Sequence, residues 1–502
     1  MKFKKLLSSM LALAILLSTL PLTVFAYTAN TVQTNNDTLA DDLSDASRVS
    51  AYAAIGGEIS SSTAWSDGDT VGDVTISGTN TVITVSGTVS ITAPITITGN
   101  VTFTGGGTLK RESTNTSGNL ISVSGAAKLT LDNITIDGNE VTVIYDTVSA
   151  IYVKSGANVI MNSGTKLINH KKSNSNDSGG AIYMYGGKFT MNGGVISDCE
   201  AENYGGAIYL YDGSEFIMNG GTIENNKTLS STTLYGGGAF YVRGATLTIN
   251  DGIIQNNSST VGGAIYNSSY GTTIIKGGTI KGNTVTGTSA KGGAIFHSCR
   301  QGITANLQIG GDANIDINND IYMMGGSTGD KYIEILSSIK NPMRLTVENA
   351  VEGRVIAEGA SGVTLTKNDM SKLSVSNTDY VLGLDSNEII LVQKTSGETE
   401  NTYPVYLGYD ANGGENAPSG DSQEIKSDES AVFTISNTVP TRAGYKFLGW
   451  ATTNSASAAE YQPGGNITIT ENTTLYAVWQ IETKPDNVFT VGLAIKGWTY
   501  GD

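Results

Sequence analysis

Hydrophobic and polar residues alternate in short runs along most of the chain from about residue 56. The runs at 89–91, 95–97 and 101–103 place a polar residue between two apolar ones, and glycine, asparagine or proline separates one run from the next. Alternation with a period of two predicts half-buried β-strands, and the turn formers between the runs predict that these strands are short. Almost no stretch shows the longer period of an amphipathic helix, so the pattern predicts an all-β protein.

A five-residue motif, GGAIY or a close variant, recurs through the middle of the chain, and we call it the GGAIY word. Its copies begin 26, 32, 25 and 30 residues apart, at Gly179, Gly205, Gly237, Gly262 and Gly292. A fixed word with variable filler at this period is typical of stacked repeats, in which neighbouring rungs bury a continuous core. Three short strands in each repeat predict a right-handed parallel β-helix over residues 56–394.

Alternation within the word predicts which side chains face the core. With Ile182 and Met184 inward, the aromatic residue of each word faces outward, one per rung: Tyr183, Tyr209, Tyr241, Tyr266 and Phe296. Tyr185, Tyr211 and Arg243 form a second outward column beside the first. We expect these eight residues to be exposed and to form a candidate surface for a glycan or a partner protein. The alternative is an aromatic ladder that only stabilises the sheet.

Asparagines recur three residues after an isoleucine, at Asn226, Asn257 and Asn283. Stacked copies of such a side chain can hydrogen-bond to one another and satisfy turn amides that no strand reaches. The sequence therefore predicts an asparagine ladder along the β-helix.

Composition shifts predict the other segments. Lys2, Lys4 and Lys5 precede the apolar run 11–17, which is typical of a secretory signal peptide and too short to span a membrane. The predicted divisions are a signal peptide (1–26), a disordered leader (27–55), the β-helix (56–394), a linker (395–401), a small domain rich in aromatic residues (402–480) and the start of a further surface repeat module (481–502).

Two resemblances to known families follow from these motifs. The GGAIY words with Ile-x-x-Asn resemble repeats of the polymorphic outer-membrane-protein type, within the pectate-lyase-like β-helix superfamily, although isoleucine replaces the family's phenylalanine. The block from Tyr409-Asp410-Ala411-Asn412-Gly413-Gly414 through Gly444-Tyr445 and Phe447-Leu448-Gly449-Trp450 to Leu475-Tyr476-Ala477-Val478-Trp479 is similar to the Listeria–Bacteroides repeat of internalin B type. That second resemblance implies a β-grasp-like module common on bacterial surfaces.

The net charge argues against two classes of binding partner, and the cysteine positions argue against a disulfide bond. The net charge is −16 over 502 residues, which disfavours nucleic acid and anionic membranes. The two cysteines, Cys199 and Cys299, fall about four rungs apart, roughly 19 Å at a rung spacing of about 4.8 Å, so we expect two free thiols. The sequence gives no reason to expect a cofactor.

Candidate catalytic and metal-binding residues are few. Asp132, Asp137 and Asp146 fall at different positions of the repeat, and no column of acids repeats at one position. His170 begins a basic segment that we expect at a solvated loop tip, whereas His297 is expected to face the core. Two distant histidines support neither a zinc site nor a catalytic triad. We therefore expect no catalytic and no metal-binding residues, and we expect Trp450 and Trp479 to form the core of the small domain.

The sequence as a whole predicts a secreted or cell-surface bacterial protein resembling an adhesin, without a transmembrane segment in the mature chain. Cell-wall attachment is expected through a region beyond residue 502. The expected partner is a glycan or a host or matrix protein. The alternative is a carbohydrate-active enzyme, a polysaccharide lyase or glycoside hydrolase, for which two or three acids in a groove would be the sign.

Overall fold

The computed structural model describes residues 53–116, 118–143, 149–173, 179–298, 305–325, 332–394, 403–425, 429–470 and 472–482. The predicted signal peptide and linker, nearly all of the predicted leader, Asp146, Cys299 and nearly all of the last predicted module lie outside these residues. The described part is almost entirely β-structure, as the alternation predicts. Its one α-helix spans Lys367–Ser371.

Parallel strands stack into long ladders, in which each strand hydrogen-bonds to its equivalents in the rungs below and above. The first ladder contains the GGAIY words and consists of Ile95–Ile97, Ile121–Val123, Ile151–Val153, Ile182–Tyr185, Ile208–Tyr211, Phe240–Arg243, Ile265–Asn267, Ile295–Ser298, Ile321–Met324, Met343–Val347 and Leu373–Val375. The second consists of Thr63–Trp65, Thr81–Val85, Asn100–Thr104, Lys128–Leu131, Asn158–Met161, Lys188–Met191, Glu215–Met218, Thr246–Ile249, Thr272–Ile275, Asn306–Ile309, Ile333–Ile335 and Val355–Gly359.

A third ladder completes each rung of the core. It consists of Thr88–Ile91, Thr108–Arg111, Thr135–Asp137, Lys166–Ile168, Val195–Ser197, Thr222–Glu224, Ile253–Gln255, Thr279–Lys281 and Asn314–Ile315. At the N-terminal end, Ala54–Ile59 pairs with Thr70–Ile76, and the latter pairs with both the first and the third ladder. The chain therefore forms a β-helix whose rungs are in register.

A fourth, short ladder is present that the sequence did not predict. Its two-residue strands are Thr142–Val143, Lys171–Lys172, Glu200–Ala201, Lys227–Thr228, Ser258–Ser259 and Thr284–Val285. The prediction of three strands per rung was wrong because strands of two residues are too short to show an alternating pattern. This ladder positions the chain for its return to the next GGAIY word.

The core lies between the ladders and is filled as the alternation predicts. Ile182 and Met184 are fully buried, as are their equivalents Ile208, Leu210, Phe240 and Val242. Phe189 and Phe216 stack in the second ladder with centroids 5.0 Å apart. His297 also faces this core, as expected, and its Nδ1 lies 3.2 Å from Asn267 Nδ2.

The two glycines of each word have different physical roles. In four of the five words, those that begin at Gly205, Gly237, Gly262 and Gly292, the first glycine adopts a left-handed conformation, with φ of 57° at Gly205 and 77° at Gly237, which favours glycine. The second brings two layers of backbone together: a Cβ on Gly206 would lie 2.6 Å from the backbone nitrogen of Lys227 in the fourth ladder and would clash with the carbonyl oxygen of Gly238. The word therefore packs the fourth ladder against the first.

The predicted asparagine ladder is confirmed, and it is buried. Asn226 Nδ2 donates to Asn257 Oδ1 at 2.9 Å, and Asn257 Nδ2 donates to Asn283 Oδ1 at 3.0 Å. Each Oδ1 also accepts from the backbone N–H of the asparagine one rung below. Asn319, on the next rung, continues the series. The side chains thus supply partners for buried amides at a turn.

A second, exposed ladder runs along the turn after the second-ladder strands. Asn250, Asn219 and Asn192 each donate from Nδ2 to the asparagine of the preceding rung, at 2.8–3.2 Å, and Asn162 donates to Asp132 at 3.2 Å. This series fixes the turns on the outer side of the β-helix.

The C-terminal end of the β-helix is closed as predicted. Glu388–Gln393 pairs antiparallel with Val355–Gly359, and Tyr380–Asp385 pairs antiparallel with Glu388–Gln393. The short helix Lys367–Ser371 has a capping box between Thr366 and Asp369. Antiparallel pairing ends the parallel stack and covers its edge.

The aromatic-rich segment folds around its own core. One sheet has the strand order Asp421–Ile425, Tyr403–Asp410, Thr473–Ile481 and Tyr445–Ala451, and a two-stranded ribbon joins Ala431–Thr434 to Asn466–Ile469. Trp450 is fully buried, as expected. Trp479 is half-buried against the same core and donates from Nε1 to Ala411 O at 2.9 Å. No helix crosses this sheet in the described residues from 403 to 482.

His170 and Cys199 occupy the ladder position below Asn226. His170 Nε2 lies 3.1 Å from Ile136 O, as Asn226 Nδ2 does from Ile196 O. The expectation of a solvated loop tip was therefore wrong, because His170 replaces a buried asparagine. Cys199 is a buried free cysteine, as predicted, and burial raises its pKa to about 12, so its thiol is inert near neutrality.

The H170N variant should lose less stability in acid than the wild-type chain. Burial, and then the charge of Arg111, lowers the pKa of His170 to about 3. The unfolded chain binds the proton below pH 6.5 and the folded chain does not, so stability falls as pH drops from about 6.5 to about 3.

Asparagine does not titrate and can donate to Ile136 O, so the free energy of unfolding of the variant relative to wild type should rise by about 2 kcal/mol between pH 7 and pH 5. Denaturant unfolding at both pH values measures this difference. A difference that stays constant would show that His170 is not buried in its neutral form.

Candidate ligand-binding surface

An aromatic column runs along the outer face of the first ladder, as predicted. Neighbouring rings lie 4.7–5.5 Å apart, centroid to centroid, in the order Tyr152, Tyr183, Tyr209, Tyr241, Tyr266, Phe296 and Tyr322. Strand register places each ring above its equivalent. Such contacts between rings stabilise the stack beyond the area that they bury.

The expectation that this column is exposed was wrong. The exposed fraction is 4% for Tyr183, 0% for Tyr209, 4% for Tyr241, 5% for Tyr266 and 2% for Phe296. These rings form a second apolar cluster, separate from the core inside the β-helix. A ligand cannot reach them without opening the segments that cover them.

The cover consists of the segments that return from the fourth ladder to the next GGAIY word. Tyr204 stacks on Tyr209 at 5.1 Å and meets Tyr241 and Tyr235 edge-on at 4.8 Å. Val261 belongs to the same cluster. These segments cover the outer face because the glycine pairs allow their backbone to approach the sheet closely.

The upper end of the column is closed by charged groups. Lys291 Nζ lies 4.8 Å from the ring centroid of Tyr322 and 3.1 Å from Glu348 Oε1. The hydroxyl of Tyr322 donates to the same carboxylate oxygen at 3.2 Å. The lower end is less covered, since Tyr152 is only half-buried.

The second predicted column is partly open to solvent. Tyr185 is 42% exposed, Tyr211 is half-buried, and Arg243 is exposed. The rings of Tyr185 and Tyr211 lie 5.6 Å apart and inclined by 30°, and the guanidinium of Arg243 lies 5.5 Å from the Tyr211 ring. We call these three residues the tyrosine–arginine strip. Tyr185 and Arg243 meet the expectation of exposure, whereas Tyr211 is half-buried and packs against Tyr209, with ring centroids 5.6 Å apart.

Arg243 is held from behind by the buried column. Burial by itself would lower the pKa of this guanidinium. The hydroxyls of Tyr209, Tyr241 and Tyr211 outweigh burial, so the pKa is raised. Arginine is charged at any working pH in any case. The strip thus presents two aromatic rings and one fixed positive charge on a rigid sheet.

Two further exposed residues lie on the rungs next to the strip, and sequence reasoning missed both. Lys154 lies one rung below Tyr185, with Nζ 5.2 Å from the Tyr152 ring centroid. Tyr270 lies at the corner after the first ladder and is 64% exposed. Residues 150–152, Ala-Ile-Tyr, repeat the word without its glycine pair, and aligning them would have found Tyr152 and Lys154.

An acidic column lies at the C-terminal end of the second ladder, contrary to expectation. Register aligns Glu334 with Glu358 and Glu358 with Glu388. A cleft of about 630 Å³ is lined by residues that include Glu334, Glu358 and Tyr332. The pKa of Tyr332 is raised to about 12. The largest cause is a hydrogen bond to Glu358, and burial and the charges of the three glutamates add to it.

The other candidates do not assemble into a reactive centre. Asp132 belongs to the exposed amide ladder and Asp137 to a different turn. Lys171 pairs with Glu140 at 3.3 Å, and Lys172 is buried, so the basic segment after His170 is a fourth-ladder strand and not a loop tip. In the described residues, no three His, Cys, Asp or Glu side chains are placed to hold a metal ion.

Comparison with known families agrees with both folded parts. Residues 119–312 match the family model described as a right handed beta helix region, and residues 407–478 match that of the Listeria-Bacteroides repeat domain. No curated protein and no solved structure matches the chain. Within the described part, no helix is long and apolar enough to cross a bilayer. The chain thus contains a right-handed parallel β-helix followed by a Listeria–Bacteroides repeat, two domain types that are typical of extracellular or surface proteins.

Proposed function

We propose that this chain is a secreted or cell-surface bacterial protein that acts as an adhesin and binds a glycan through the tyrosine–arginine strip. The observation that carries the proposal is a column in which Tyr185 and Arg243 are exposed and Tyr211 is half-buried, next to a column of tyrosines that is sealed. The sealed column already provides the stabilisation that stacked tyrosine rings give to a sheet. The open rings remain available for a ligand.

The chemistry of the strip suits a sugar chain. An aromatic ring offers a flat apolar face to the C–H groups of a sugar, and its hydroxyl offers a hydrogen bond. The strip is one ring wide and runs along the axis of the β-helix, so it favours a linear ligand. Its side chains are held by the sheet, which reduces the entropy lost on binding.

The double substitution Tyr185→Ser and Tyr211→Ser should weaken glycan binding by the full chain. The two rings supply most of the apolar contact, so we expect affinity to fall by at least tenfold, or about 1.4 kcal/mol. Tyr406→Ser, which removes an exposed tyrosine from the other domain, is the matched control.

A glycan array of wild type and both variants measures this, with thermal unfolding measured in parallel. Unchanged binding by the double variant, or a wild-type chain that binds no glycan, would contradict the proposal.

The acidic column favours a second candidate function, cleavage of a polysaccharide. Neighbouring rungs are about 4.8 Å apart, so the backbones of Glu334 and Glu358 are close enough for their carboxylates to act together as acid and base, or nucleophile, on a glycosidic bond. The cleft beside them is open to a chain-like substrate.

The substitution Glu358→Gln tests this second candidate. If the chain cleaves glycans, the variant should release reducing or unsaturated sugars at least 100-fold more slowly, because it lacks a carboxylate for proton transfer. Glu224→Gln, on the third ladder, is the matched control. A wild-type chain that releases no sugar from any glycan that it binds would exclude this candidate.

A further inference from the structure

Two positive charges, Lys154 and Arg243, lie at the strip against aromatic rings, without a carboxylate partner in the described residues. Lysines 171, 188, 227, 291 and 340 each form an ion pair with a carboxylate. Among the described residues, neither Lys154 nor Arg243 forms such a pair, and each lies against an aromatic ring. Two uncompensated cations therefore flank the exposed rings in a protein whose net charge is −16.

Register fixes the order of these groups along the axis. Val153 pairs with Met184, so Lys154 lies one rung below Tyr185, and Tyr185, Tyr211 and Arg243 pair in succession. The backbones of the two cations are three rungs apart, roughly 14 Å at about 4.8 Å per rung. One rung is similar in length to one hexose unit, so the column can match a sugar chain unit by unit.

Tyr270 is held in a conformation that a bulky residue rarely adopts. Its φ is 59°, where the corners of the rungs below have Gly244, Gly213 and Gly186. Backbone strain of this kind destabilises the fold and is concentrated at functional sites. Because its side chain is largely exposed, burial does not offset that cost. The ring projects from the corner one rung above Arg243.

We propose that the ligand of the strip is an acidic glycan, a linear sugar chain with carboxylate or sulfate groups. It lies along the axis of the β-helix, with sugar rings on Tyr185 and Tyr211 and acidic groups at Lys154 and Arg243. Tyr270 extends the contact by one rung. This inference rests on the proposed glycan binding and adds the chemical class and direction of the ligand.

The charge distribution disfavours nucleic acid as the ligand. A nucleic acid carries a phosphate on every unit, and the overall negative charge of the protein repels such a dense polyanion. Two uncompensated cations suit a chain in which uncharged sugar faces separate the acidic groups. Asp212 follows Tyr211 at the same corner, and its exposed carboxylate opposes this ligand.

The test compares the full chain with Lys154→Gln, Arg243→Gln, their double variant and the control Lys166→Gln, which removes an exposed lysine from the third ladder. The probes are immobilised neutral, carboxylated and sulfated polysaccharides of equal length, together with a single-stranded oligonucleotide and an acidic peptide. Binding is measured by interferometry at two salt concentrations, and thermal unfolding confirms that each variant is folded.

We expect the double variant to lose about tenfold in affinity for the acidic chains, a value set by two exposed charge contacts, and little for the neutral chain. Asp212→Asn should raise affinity for the acidic chains, and added salt should lower it. The control should bind like wild type.

Equal binding of neutral and acidic chains by wild type would overturn this inference and leave the proposed function standing. No binding of any glycan would overturn both. Preferential binding of the oligonucleotide or of the acidic peptide would also overturn the inference, as would an unchanged affinity of the double variant for the acidic chains.

Discussion

The in-register stacking of parallel strands is the constraint on which the rest of this structure depends. It places each residue about one rung, 4.8 Å, above its equivalent, so any residue type that recurs in the repeat becomes a column. Isoleucines become the core, Asn226, Asn257 and Asn283 become a hydrogen-bonded ladder, and tyrosines become a stack of rings. Every such column stabilises the register that creates it.

The glycine pair divides the outer face of the first ladder into two zones. Where it is present, the backbone of the fourth ladder and its return segment approach closely and seal the tyrosines at the fifth position of the word. Two residues further on, the chain has reached the corner, and nothing in the described residues covers Tyr185 or Arg243 to the same degree. The same repeat therefore produces a structural column and a presented surface.

Much of this arrangement could be predicted from the sequence. Alternation alone assigned Ile182 to the core and Tyr183 to the opposite face. It could not show that Tyr183 is covered, because the return segments vary in length and carry no repeated word. His170 follows Leu167 at the spacing that separates Asn226 from Ile223. This spacing could have predicted its place in the asparagine ladder, but a histidine in place of asparagine concealed the repeat. The acidic column was missed because the word is lost after residue 302 and Glu388 arrives on an antiparallel strand.

Chemical modification of tyrosine measures the division between sealed and presented rings most directly. Nitration of the folded full chain, followed by mass mapping of its peptides, reports the exposure of each ring separately. We expect Tyr185 and Tyr270 to react while Tyr209 and Tyr241 remain protected until the chain is denatured, because the latter two are 0% and 4% exposed. Nitration of Tyr209 in the folded chain at the rate of Tyr185 would contradict the account.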